Sequence, residues 1–334
     1  MPGPAPEDEA DRGFPPTAVA RYTGAPNRRI LGARMRRLAI LLTLILVAAA
    51  CRASAAENKL FAWRIAGDPA NDPGTVYLLG SMHVGKPDLY PLPQPIEQAF
   101  AGSAELVEEI DMSGANLALL QQQILQRGLY TGGDKLENHL SPTTRAALAA
   151  YLQRTGQMPT ALSAMRPWLA GMQILAAQLQ ALGFALQYAI DQHFLDEAAA
   201  AKKPVAGLET IGFQIDLLSG LPADLQDKLV FSELVDADNL ASDAAALVQA
   251  WCTSDTAGME ATATRAEREH PELQPLTEAL VYQRNTAMAR QVADFLKTPK
   301  TRFVVVGSLH LVGDRGILKL LADKGYRIEQ LRDQ

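Results

Sequence analysis

Thr75-Val76-Tyr77-Leu78-Leu79-Gly80-Ser81-Met82-His83 and Arg302-Phe303-Val304-Val305-Val306-Gly307-Ser308-Leu309-His310 decide how this chain is read. Each stretch is a short apolar, β-rich run that ends in Gly-Ser-x-His. A glycine permits a sharp turn as the chain leaves a strand. Ligands of open α/β sheets bind beyond the carboxyl ends of the strands. A single histidine at a strand end is more often a packed structural residue. Core packing, however, has no reason to ask twice for the same four-residue exit, and the chain has only five histidines. If the two strands are neighbours, His83 and His310 meet as half of a metal or acid–base site.

The rest of the chain alternates outward from these two strands. Phe61-Ala62-Trp63-Arg64-Ile65 reads as an opening strand, and the turn signal Asn71-Asp72-Pro73-Gly74 makes a hairpin of it with the first histidine strand. Glu105-Leu106-Val107-Glu108-Glu109-Ile110-Asp111 reads as a strand carrying acids. From about 115 to 201 the pattern is helical, with helices expected over 115–127, 142–154, 161–182 and 189–201. A strand returns at Pro204–Glu209. Helices follow over 210–219, 222–235, 239–250, 257–268 and 275–297, and a helix at 315–324 and a strand at Tyr326–Leu331 close the chain. Strands at both ends and one central point predict a single α/β (α+β) domain over 57–334. Its sheet core is flanked by helices and carries a helical insertion at about 115–201.

Carboxylates complete the candidate site, since borderline cations take mixed nitrogen and oxygen ligands. Glu109 and Asp111 project on one face of their strand and Glu108 on the other, because side chains alternate. Glu209 ends the Val205–Leu208 run, just before Thr210, which suits a helix N-cap. Solvated roles are available for Glu108 and Asp111, and a capping role for Glu209. Arg284 and Asn285, together within one helix, are placed to orient a carboxylate or a substrate carbonyl. Asp191 opens a helix, where structure explains it, and His139 and His270 read as surface residues. No P-loop, dinucleotide fingerprint, H-E-x-x-H or G-x-S-x-G is present.

The N-terminus reads differently. Residues 1–34 are rich in Pro, Gly and Ala and read as disordered or as an over-extended frame. Residues 35–55 read as a signal peptide, in which Arg36-Arg37 precedes the apolar run 38–50. Two ends to this leader stand: release after Ala53-Ser54-Ala55, or a lipid anchor on Cys51 behind Ala48-Ala49-Ala50. Removing residues 1–55 takes away eight Lys/Arg and four Asp/Glu and moves the formal charge from −6 to −10. So acidic a domain is a poor partner for nucleic acid or anionic lipid. The membrane enters only through the leader or an anchor at Cys51, and a periplasmic or secreted location is expected. With Cys51 removed, Cys252 is expected to stand alone, without a disulfide.

Taken together and in order, several of these residues resemble the TraB/GumN family, related to the Tiki metalloproteases and more distantly to erythromycin-esterase and ChaN-like proteins. The likeness is carried by Val76–Gly85, Tyr90-Pro91-Leu92-Pro93, Glu109-Ile110-Asp111, Arg166-Pro167-Trp168, Gly207-Leu208-Glu209-Thr210, Arg284-Asn285 and Gly307–Gly313. The resemblance implies a β-sheet core flanked by helices, with His83, Glu109, Glu209 and His310 at one metal site and Arg284 and Asn285 nearby. It also implies a divalent ion, manganese, cobalt or zinc, and hydrolysis of a peptide or small-molecule substrate, with Glu109 or Glu209 as general base. Glu108 departs from the family pattern, which has an apolar residue there. The alternative function is a non-catalytic periplasmic ligand-binding or accessory protein, haem-binding or polysaccharide-related.

Overall fold

The two histidine strands lie side by side. The computed structural model of the chain describes residues 58–68, 71–235 and 239–333, so the expectations for residues 1–34 and 35–55, including Cys51 and Ala55, lie outside the described residues. Six strands form one mixed sheet: β1 Lys59–Ala66, β2 Thr75–Ser81, β3 Glu105–Ile110, β4 Val205–Glu209, β5 Thr301–Gly307 and β6 Arg327–Arg332. Their spatial order is β4-β3-β5-β2-β1-β6. β4, β3, β5 and β2 run parallel to one another, and β1 is antiparallel to both β2 and β6. The carboxyl ends of β2, β3, β4 and β5 therefore share one edge of the sheet. The second motif stands one residue ahead in register, since Ser81 pairs with Gly307 and Gly80 with Val306.

Helices cover the sheet because the parallel strands are apolar on both faces. Val76, Leu78, Leu79, Val304, Val305 and Val306 are all buried, and they pack with Phe194, Met288, Val292 and Leu296 from the flanking helices. Leu136, Leu148, Tyr151, Ile174, Val230 and Leu234 form a second, smaller core. Helix Ile190–Ala201, expected as part of the helical insertion, packs into the sheet core instead through Phe194 and Ala198. Helix Ala223–Val235 joins the helical layer in its place.

Most elements lie where the sequence pattern puts them, and three differ. The helix expected from 161 begins at Pro167, where the fixed φ of proline suits a first turn and Arg166 before it is extended. The helix expected over 257–268 is two, Thr256–Ala263 and Arg265–Glu269, divided at Thr264. The long helix expected over 275–297 contains a π-helical stretch, Glu278–Tyr282, directly before helix Gln283–Leu296. In the full chain Cys252 is disulfide-bonded; the expectation of a lone thiol concerns the chain after Cys51 is removed. Among the described residues no helix is long and apolar enough to cross a membrane.

One ion-pair cluster fixes the amino-terminal end of the central strands. Glu105 Oε2 accepts hydrogen bonds from Lys300 Nζ and Arg302 Nε, both at 2.9 Å. Partial burial of Glu105 pushes its pKa up, but the hydrogen bonds and charges of Lys300 and Arg302 outweigh this and hold it below the ordinary glutamate range. A carboxyl with a depressed folded pKa adds stability above its unfolded pKa and loses it as pH falls through the folded one. Glu105→Gln is therefore expected to cost about 1–2 kcal/mol at pH 7. The difference from wild type should shrink to nothing once acid has protonated Glu105 in both states. Urea melts of the two proteins at pH 7 and at progressively lower pH check this. A constant difference at all pH values would refute it.

Candidate functional site

Glycine is required at both motif turns, but for space. Neither Gly80 nor Gly307 adopts a positive φ, so the sharp bend expected of them is not their role. A Cβ on Gly80 would stand 2.5 Å from the Phe61 ring. One on Gly307 would stand 3.0 Å from His83 Nε2, 3.2 Å from Glu109 Oε1 and 3.6 Å from His310 Cδ2. Gly307 is thus the floor of the place where three site side chains converge.

The convergence is direct. His83 Nε2 and His310 Nε2 each lie 3.6 Å from the same atom, Glu109 Oε1. Both rings are held from behind by their other nitrogen. His83 Nδ1 meets Asp191 Oδ2 at 3.1 Å, and His310 Nδ1 meets Asn285 Oδ1 at 2.6 Å. The Asn285 amide also donates from Nδ2 to the Arg315 carbonyl at 2.9 Å, which turns its oxygen toward the imidazole. His310 therefore carries its proton on Nδ1 and presents the Nε2 lone pair to the site. The serines have structural work. Ser81 Oγ donates to Asp191 Oδ1 at 3.0 Å, and Ser308 Oγ donates to the Ser81 carbonyl at 2.9 Å.

Glu209 comes to the same edge but faces Arg284. Arg284 Nε donates to both Glu209 oxygens at 2.9 and 3.1 Å, and its Nη2 reaches Glu209 Oε2 at 2.8 Å and Glu109 Oε2 at 2.5 Å. Gln214 adds a bond to Glu209 Oε2 at 2.9 Å. Arg284 Nη1 bonds the Leu280 carbonyl, inside the π-helical stretch, at 2.8 Å. Such stretches redirect backbone carbonyls and recur at functional sites. Glu209 is thereby the anchor of Arg284, and Arg284 in turn holds Glu109. Of the six site residues read from sequence, His83, His310 and Glu109 face one another. Asn285, Arg284 and Glu209 support them.

The fields differ from one group to the next. Burial works against charge on His83, yet the Asp191 hydrogen bond and the Glu109 and Asp191 carboxylates outweigh it and lift the imidazole to about 9. Its side chain lines a cavity and is 58 % exposed there, although protein surrounds it, so solvent screens part of this lift. Burial pulls His310 below the usual imidazole value against the attraction of Glu109. Burial raises Glu109, but His310, His83, Arg284 and the Gly307 N–H together bring it down to about 2. Because burial leaves His310 uncharged at neutral pH, His83 and Arg284 are the cations that keep Glu109 ionised there.

Two residues stand in the site against expectation. Asp191, read as a helix-start aspartate, holds both His83 and Ser81. Its one sequence signal was the early position in a helix, which does not reveal a partner more than 100 residues away. Glu108, expected to be solvated, is only 3 % exposed, and its Oε1 has no hydrogen-bond partner. Burial, followed by the charges of Asp191, Glu109 and Asp111, pushes its carboxyl up to about 9, so it carries a proton at pH 7. Asp111 bonds Ser113 and Asn116, just outside the site. His139 pairs with Asp134 at the surface.

A family model described as the TraB/PrgY/gumN family matches residues 61–330. The chain belongs to that family. All the residues of the site fall inside the matched span. The chain is also similar to the uncharacterized protein YbaP of Escherichia coli (strain K12), at 27 % identity over 246 residues, 73 % of this chain and 87 % of YbaP. The same figures hold for YbaP of Shigella flexneri. No solved structure matches the chain.

Whether a divalent ion suits this site is a question of donors. Two imidazole Nε2 atoms and one carboxylate oxygen surround the space above Gly307, and each imidazole is backed by an oxygen at Nδ1, as metal-binding histidines are. Among the described residues, no group of three or more His, Cys, Asp or Glu side chains is gathered closely enough to hold an ion as it stands. The donor chemistry fits, and closing the set requires that His83 give up its proton in competition with the incoming ion and that three atoms already facing one another draw together.

Proposed function

We propose that the protein is an exported, divalent-metal-dependent hydrolase that cleaves peptide bonds. One observation carries this reading: two histidines from neighbouring strands aim their Nε2 atoms at a single carboxylate oxygen while both Nδ1 atoms are tied back. His83, His310 and Glu109 would hold the ion. When bound, such an ion supplies a Lewis acid for a carbonyl oxygen and lowers the pKa of water. The chain's own groups do the rest. Arg284, fixed by Glu209, keeps Glu109 ionised and in place. Asp191 and Asn285 set the ring orientations. Glu108, protonated and among the residues that line the same cavity, would give its proton to the leaving amine and recover one from the attacking water. Export rests on the basic and apolar leader at 35–55.

The test is calorimetric titration of the purified protein with Mn²⁺, Co²⁺ and Zn²⁺, beside the His83→Ala/His310→Ala double variant. About one ion per chain is expected for wild type and none for the variant, with cleavage of a peptide library that EDTA stops. Unchanged metal affinity in the variant would remove the metal assignment. A haem Soret shift that depends on the same histidines, without any cleavage, would replace the hydrolase with a ligand-binding protein.

A further inference from the structure

Behind the converging residues the sheet edge opens into a cavity of about 420 Å³. His83, Glu108 and Glu109 form one wall, so whatever enters is joined to the group that reacts there. The rest of the lining has another character. Leu120 and Ile124 come from helix Ala115–Gly128, Trp168 and Met172 from helix Pro167–Ala181, and Ile215 and Leu218 from helix Ile211–Ser219. These helices meet in an apolar cluster of their own, apart from the sheet core.

The helices that line the cavity also carry exposed apolar side chains. Eight large hydrophobic side chains are exposed among the described residues, and five belong to these three helices: Leu117, Leu119, Leu125, Met172 and Phe213. An apolar cavity is ordinary for a small-ligand site. One whose lining helices also expose leucine, methionine and phenylalanine fits a ligand that is apolar over more than one residue. Polar side chains line it as well, Glu108 and Glu109 with His83 from the sheet edge and Gln173 and Gln214 from two of the apolar helices. Polar groups set among apolar walls match a peptide, whose amide can meet the polar groups while its side chain fills the apolar remainder.

We propose that this cavity is a subsite for a large apolar side chain, phenylalanine or leucine, of an extended peptide substrate. The inference rests on the hydrolase reading for the bond that is cleaved, and on the cavity alone for what is bound. Ile124 and Leu218 are its specificity-determining residues, because larger side chains at either position would fill it.

The test uses acetyl-Ala-Xaa-Ala-amide peptides with Xaa as Phe, Leu, Ala or Asp. Binding is measured by calorimetry, and cleavage is followed in the presence of Mn²⁺, Co²⁺ or Zn²⁺. The Phe and Leu peptides are expected to bind about tenfold or more tightly than the Ala peptide. Ile124→Trp and, independently, Leu218→Trp should abolish that preference. Met158→Trp, at a 72 % exposed position outside the cavity, should keep it. Equal binding of all four peptides, or a preference that survives both filled-cavity variants, overturns the proposal. Displacement of the Phe peptide by an equal concentration of decanoate would overturn the peptide assignment. Preference without cleavage in any of the three metals would sink the hydrolase reading and leave the subsite standing. Cleavage without preference would do the reverse.

Discussion

Replacing Arg284 by methionine should unfold much of the protein's stability margin. Its guanidinium lies between two carboxylates, Glu109 and Glu209, and all three side chains are about nine-tenths buried. Burial disfavours the charge on Arg284, but the Glu209 hydrogen bond and the two glutamates outweigh it and raise its pKa further. Methionine keeps most of the volume and removes the cation that bridges the two acids. Two buried carboxylates then face each other, and one must take up a proton or both must find water. Breaking a buried ion pair from one side costs about 3–5 kcal/mol, a large share of a total stability of about 5–15 kcal/mol. In a domain of this size that is about 10 °C in Tm. Arg284→Lys should recover little, because one ammonium cannot reproduce the fork that spans both Glu209 oxygens and Glu109. Thermal melts of the three proteins at pH 7 decide it. A methionine variant that melts within 2 °C or so of wild type would show that the triad contributes little.

Adding Glu209→Leu to Arg284→Met separates the causes. If repulsion between unpartnered acids is the source of the loss, removing one of them should return part of it. A double variant less stable than either single variant would point to lost packing instead.

The sheet and the central residues of the site were legible because their signals are local. An apolar β-run followed by Gly-Ser-x-His needs only nine residues to be seen, and two such runs set the condition, that their strands be neighbours, under which the histidines meet. Thr210 was readable as a cap, and its Oγ1 does accept the Phe213 N–H at 3.1 Å. Asp191 was illegible for the opposite reason. Its partner, His83, is brought to it by the way helix Ile190–Ala201 abuts the end of β2, and no periodicity encodes that approach. Glu108 was misread because strand alternation tells which face a side chain takes but not whether that face meets water. Here both faces of β3 are covered, so Glu108 and Glu109 are each buried on opposite sides of one strand. The roles of the glutamates were also unequal in a way spacing does not reveal. Glu209 stands at a strand end like Glu109, yet an arginine 75 residues later in the chain claims its oxygens.

Gly307→Ala should separate the chemistry from the fold. Gly307 has φ −52° and ψ 136°, a backbone any residue adopts, so alanine meets no backbone strain. What it meets is the site. Its methyl would sit 3.0 Å from His83 Nε2 and 3.2 Å from Glu109 Oε1, both closer than ordinary contact. Glu109 is held on both sides, by the Gly307 N–H at 2.6 Å and by Arg284, and His310 is buried against Asn285. His83 is the side chain with room, being 58 % exposed toward the cavity. It should therefore swing outward and relieve the contact, at a stability cost of about 1 kcal/mol or less. The convergence on Glu109 Oε1 is lost in that movement. A displacement of about 1 Å in a reacting group costs about 10²-fold in rate, and metal affinity should fall with it. The expected result is a folded protein with nearly wild-type Tm, weakened Mn²⁺ or Zn²⁺ binding and peptide cleavage down by about two orders of magnitude. A large fall in Tm would mean that Glu109, and not His83, gives way. Unaltered metal binding and cleavage would mean that the three atoms above Gly307 are not where the chemistry happens.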